Sequence, residues 1–215
     1  MASDPHSVNL ARIDHYGRPS KWFVDYPSEY LDGLVSDLKE IDLILDLEFG
    51  LQMYLTWGTL LGAVREGDLI GHDFDIDVAY VSRARSERGV LRERRRILEH
   101  FARFGRVIGK PAPGRFMVTG RRAPGGAYDH GIEIWTSFVA GADYYGYPSL
   151  PGVLPARAIR PFGQACLRGV PFRVPRQTSV FLDLTYGKDW HVPRLPSDHD
   201  ARVPRYTCFE FLYPS

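Results

Sequence analysis

Cysteine is nearly missing: the 215 residues hold two, Cys166 and Cys208, far apart and without paired spacing. Neither a disulfide framework nor a thiolate zinc site is suggested on that count, and each cysteine reads as a chance core residue. Long apolar runs are missing as well. None approaches the ~20 residues that a bilayer-crossing helix needs, and the opening MASDPHSVNLARIDHYG has no apolar signal core. Excess charge of one sign is the third absence: 27 Lys and Arg stand against 26 Asp and Glu, a formal net charge of +1. That balance gives no bulk attraction to nucleic acid or to an anionic membrane. The absences together predict a cytoplasmic protein with no nucleic-acid partner and at most peripheral membrane contact. Histidines other than His72 and His130 show no metal-ligand spacing.

Apolar material is plentiful by contrast. With 44% apolar and 25% charged residues, the chain suits one α/β (α+β) domain, a small mixed sheet flanked by helices. Residues 1–27 are polar and broken by Pro5, Pro19 and Pro27, and read as an N-terminal arm with at most a short turn. Ser28 offers an N-cap for a helix to about Glu48, with Leu31, Leu34, Val35, Leu38, Ile41, Leu45 and Phe49 at helical spacing and Gly50 as its stop. Strands are expected at 52–56 and 73–81, then a helix over 86–104 whose many arginines, interspersed with Glu87, Glu93 and Glu99, form a solvated face. Further strands are expected at 105–109, 115–119 and 131–135, and the turn-rich stretch 141–163 is left unassigned. A hairpin follows about Arg168-Gly169, then a helix over 179–186 closing on Gly187. The domain is placed at 28–193, with 194–215 as a polar tail.

The chemistry concentrates between Leu55 and Tyr80, LTWGTLLGAVREGDLIGHDFDIDVAY. Gly58-Thr59-Leu60-Leu61-Gly62 is a small-residue turn into a helix. Its glycines allow close backbone approach, and amides at a helix start favour an anion. Arg65 adds a guanidinium suited to phosphate. Further on, Asp73, Asp75 and Asp77 alternate with Phe74, Ile76 and Val78, so that a strand would present the acids on one face and the apolar residues on the other. Asp is a poor strand former, and folding alone asks for no row of acids there. A divalent cation does: carboxylates two residues apart on a strand can ligate Mg²⁺ or Mn²⁺, leaving waters and phosphates to complete the shell. A calcium loop fits poorly, since Val78 stands where the turn needs Gly and Ala84 where it needs Glu. An edge strand defended by acids is the other plain reading. Glu133, alone between Ile132 and Ile134, sits against type for an apolar strand.

At these residues the chain resembles the nucleotidyltransferase superfold, and within it the LicD/fukutin family. GTLLGAVREGDLI and GHDFDID are similar to that family's G-T-L-L-G-x-x-R turn and its acidic strand; TSVFLDLTYGKDW is similar to its closing helix. The chain departs at Gly71-His72, where the family has Pro-Trp, and at Phe74, where it has a further acid. It also lacks the zinc-binding insert of the animal relatives. The resemblance implies Asp75 and Asp77 as the metal pair, Asp73 as a possible addition, and Glu133 as the third carboxylate, either ligand or base, with Asp129 as the fallback. Gly58, Thr59, Gly62 and Arg65 are the implied phosphate contacts. It implies a transferase moving phosphocholine, an alditol phosphate or a similar group from a CDP-linked donor to a hydroxyl of a glycan or glycolipid. Two rivals stand beside it: nucleotidyl transfer from a nucleoside triphosphate, and an inactive binding module of the same fold.

Overall fold

A computed structural model describes residues 22–112, 114–122, 129–146 and 154–193. The tail at 194–215, most of the N-terminal arm and Cys208 lie outside the described residues. The described residues open with a 3-10 turn at Phe23–Asp25, then α1 (Ser28–Phe49), β1 (Met53–Leu55), α2 (Trp57–Arg65), β2 (Ile76–Val81) and α3 (Glu87–Arg103). β3 (Val107–Ala112), β4 (Arg115–Arg122), β5 (Asp129–Ala140), β6 (Asp143–Gly146) and β7 (Leu154–Pro155) follow. A hairpin of β8 (Gly163–Leu167) and β9 (Val170–Val174) leads into α4 (Thr178–Tyr186). The architecture is α/β.

α1 buries Leu31, Leu34, Val35, Leu38, Ile41 and Leu45, the expected stripe. Gly50 stops it with φ +62, its N–H donating to Asp46 O in an αL ending, while Leu51 N–H reaches back to Leu45 O. Ser28 is not its N-cap. Pro27 holds that position, and Ser28 is the first helical residue, its hydroxyl accepting a bond from Arg168. In α3, Ser86 caps Gly89 N–H, and Val90, Ile97 and Phe101 turn inward, while Phe104 is exposed. Cys166 is exposed rather than a core residue.

The main sheet has seven strands ordered β1-β2-β5-β4-β3, with β6 on β5 and β7 on β6. Among the described residues, only β2 and β5 run parallel; every other pairing in the sheet is antiparallel. All six residues of β2 are buried, so the strand is covered on both faces instead of alternating with solvent. The parallel register sets Asp77 opposite Glu133. The stretch expected to be turns thus supplies β6 and β7, and Tyr144 is buried there, its hydroxyl 2.5 Å from that of Tyr54.

The segment between α2 and β2, which delivers the acids, is held from two sides. Phe23 N–H donates to Asp73 O at 2.8 Å and Val24 N–H to Gly71 O at 2.9 Å, with the Phe23 ring buried. From the other side comes Arg168 at the tip of the β8–β9 hairpin. Its φ of +49 is in the left-handed region, which costs a non-glycine residue on the order of 1 kcal/mol. Its side chain offsets that cost, bonding Asp32 at 2.8 Å, Asp68 at 2.8 Å and Ser28 Oγ at 2.6 Å, while its own N–H reaches Gly67 O. One guanidinium therefore ties α1, the hairpin and the acid-bearing segment together. Arg168→Ala should lower unfolding stability by about 2 kcal/mol, read from the urea midpoint; a loss under about 0.5 kcal/mol would show that the clamp is surface decoration.

Candidate metal and phosphate site

β1 ends where Thr56 turns the chain into α2. Leu60 N–H to Thr56 O is the first bond of the helix, and the Thr56 side chain caps nothing. The amides of Trp57, Gly58 and Thr59 thus have no partner within the helix and lie at its positive end. Trp57 enters with φ +47, an uncommon conformation for a bulky residue. Gly58 is there for space: a methyl group would overlap Asp73 Oδ2. Gly62, one turn on, has its own tight neighbour, since a Cβ would overlap the Asp68 carbonyl oxygen and press on Ile70. It lets the 68–70 segment cross α2.

Thr59 is buried, and its Oγ1 accepts the Asp77 N–H at 2.8 Å. A second tie, Thr56 N–H to Asp77 O at 3.3 Å, runs beside it. The helix start and the acid are therefore joined directly. Arg65 ends α2, its Nε donating to Glu66 Oε1 at 2.9 Å.

The acids do not all lie on the strand. β2 begins at Ile76, so Asp73, Phe74 and Asp75 precede it, against the expectation of a strand from residue 73. Asp73 explains the late start: its Oδ1 takes the Phe74 N–H at 2.9 Å, a local bond that competes with ladder pairing. Asp75 and Asp77 still share a side. Carboxylate oxygens of Asp75, Asp77 and Glu133 lie within 4.8 Å of one another. Asp73 is outside that trio but close enough for its charge to act on both Asp75 and Asp77. Asp129 is the first residue of β5; among the described side chains, the third carboxylate is that of Glu133.

Burial and mutual repulsion govern the trio. Asp75 is pushed well above the usual carboxylate range by burial, then by the charges of Asp77, Asp73 and Glu133. Asp77 is raised by burial and by Glu133, opposed by a bond from Trp135 and by the charge of Arg115. Such a set fits a hard divalent cation: the donors are all oxygen, three in number, and crowded enough that a positive ion removes their repulsion.

Three neighbours escaped the sequence reading. Trp135 Nε1 donates to Asp77 Oδ1 at 2.8 Å. It lies two residues after Glu133 on β5 and hence on the same face, a period-two signal available in the sequence. Arg115 pairs with Glu133 through Nη1, visible only once β4 is in register with β5. Tyr186, at the end of α4, has its hydroxyl raised by burial and then by Asp77, Asp73 and Asp75, with Arg65 opposing. The closing helix thus brings a phenol to the acids.

The sequence matches the family described as LicD/FKTN/FKRP, nucleotidyltransferase domain, over residues 50–177. The chain belongs to this family. The matched span contains the α2 turn, Asp73, Asp75, Asp77 and Glu133, and the β8–β9 hairpin. No curated protein sequence matches. Among solved structures, the crystal structure of the lincosamide antibiotic adenylyltransferase LnuA, lincomycin-bound, is similar with a TM-score of 0.43 and 13% identity, over 73% of this chain and 92% of that one. A likeness at that level carries no argument about reaction or substrate. No helix among the described residues is long and apolar enough to cross a membrane.

The raised carboxyls of this LicD-family site have a consequence for stability. Asp75 and Asp77 bind protons more tightly folded than unfolded, where Asp titrates near about 3.9. The metal-free fold therefore loses stability as pH rises from about 4 through their raised values. Asp77→Asn removes part of that loss. In EDTA the variant's Tm advantage over wild type should widen from about pH 4 to about pH 8, and Mg²⁺ should narrow it by stabilising the wild type. A difference that is flat with pH would contradict the repulsion account.

Proposed function

We propose that this LicD-family protein is a metal-dependent transferase that moves a phosphate-linked group from a CDP-linked donor to a hydroxyl of a glycan or glycolipid. One observation carries the reading: three carboxylates, two of them buried, crowd together beside the start of α2, whose first amides have no partner within the helix. Asp75, Asp77 and Glu133 hold the ion, and the amides of Gly58 and Thr59 receive a donor phosphate. Bound Mg²⁺ or Mn²⁺ supplies neutralisation of the diphosphate and of the departing phosphate oxygen. The acceptor oxygen forms a new bond to the distal phosphorus, the bond between the two phosphates breaks, CMP leaves with the electron pair, and the hydroxyl proton passes to solvent. Trp135 keeps Asp77 oriented, and burial of Glu133 with a cationic partner suits a ligand rather than a free base.

A panel of CDP-linked donors with Mg²⁺ tests the proposal. CMP release that depends on the metal and falls at least ~100-fold in Asp77→Asn is expected. Pyrophosphate release from a nucleoside triphosphate, with no CMP from any donor, would replace the reading by nucleotidyl transfer. Neither product, with donor still bound, would mark an inactive binding module.

A further inference from the structure

Arg115 faces the acid cluster from β4, the strand beyond β5. Its Nη1 donates to Glu133, and its guanidinium carbon sits 5.3 Å from the centroid of the Trp135 ring. Its own backbone is pinned: Arg94 Nη2, reaching over from α3, donates to Arg115 O at 2.8 Å and to Ala112 O at 2.7 Å. The Arg115 side chain is 29% exposed where the Glu133 side chain is 7% exposed, so the guanidinium spans from the buried acid toward solvent.

Resting on the metal-site reading above, we propose that Arg115 is a phosphate-binding residue of the donor site, parked on Glu133 until a divalent cation takes that carboxylate. A guanidinium and a divalent ion placed on one carboxylate repel each other, so the ion's arrival weakens the Arg115–Glu133 pair. The donor diphosphate brings negative charge to the same place at the same time. Arg115 is then a planar, permanently charged fork beside it, kept near the site by stacking on Trp135. Arg65, the other guanidinium near the acids, acts on Tyr186 and pairs with the adjacent Glu66 rather than with a carboxylate of the trio. In the free protein Arg115 lowers the repulsion among the acids; in the loaded one it grips the substrate.

The two roles predict opposite responses to one substitution. Mn²⁺ binding to the metal-stripped protein, followed by EPR, should be about tenfold tighter in Arg115→Gln, because a competing positive charge is gone. At saturating Mn²⁺ the same variant should bind CDP at least about tenfold more weakly, because a charge-assisted bond is lost. Arg115→Lys should recover part of the CDP affinity and little of the geometry. A purely structural Arg115 would behave differently: Arg115→Gln would lower Tm and weaken Mn²⁺ and CDP together, and that result overturns the inference. Constants unchanged within about twofold would overturn it too, leaving the metal site standing. No Mn²⁺ binding by the wild type would instead overturn the metal-site reading, and this inference with it.

Discussion

Like charge held at close range in a dry place is the constraint on which this molecule turns. Three carboxylates from the β2 entrance and the parallel neighbour β5 have oxygens within 4.8 Å of one another. Water cannot screen them well there, and a fold that only had to be stable would replace them. Everything nearby manages that charge. Trp135 donates to Asp77, Arg115 pairs with Glu133, and Thr59 anchors the Asp77 backbone. The start of α2 adds the positive end of a helix dipole.

Rigidity around the cluster comes from unlike sources. The β2–β5 register fixes Asp77 against Glu133, while Asp75 sits on a segment without strand pairing. That segment is tied by the Phe23 turn on one side and the Arg168 clamp on the other. Residues far from the acids in sequence therefore set the distance between them. β9 adds a further brace, with Arg173 bonded at 2.7 Å to the buried Asp42 of α1. Preorganisation of this kind is what a charged site needs if its ligands are not to relax apart.

The sequence made some of this legible because its signals are local. Helical spacing and Gly50 gave α1 almost to the residue, Ser86 gave the start of α3, and Arg168-Gly169 gave the hairpin, each set by neighbouring residues. The pairing of Gly58-Thr59 with Asp75 and Asp77 was also readable, since both lie in one short stretch. What failed depends on tertiary contacts. Alternation suggested a strand from residue 73, but the Asp73 side chain bonds the next amide and delays it. Ser28 looked like a cap until a distant arginine claimed its hydroxyl. Arg115 carried no signal at all: β4–β5 register sets it opposite Trp135, from where its side chain reaches Glu133 diagonally, and no single strand encodes that. Tyr186 was in a recognised motif without a role, because only the folded α4 turns its hydroxyl toward the acids.

The account stands on a cation at the meeting point of these strands, and diffraction tests that most directly. Crystals grown metal-free and soaked in Mn²⁺ should give an anomalous peak about 2.1 Å from oxygens of Asp75, Asp77 and Glu133. A well-ordered map in which those oxygens have no such peak between them, or in which the Mn²⁺ lies elsewhere, would contradict it.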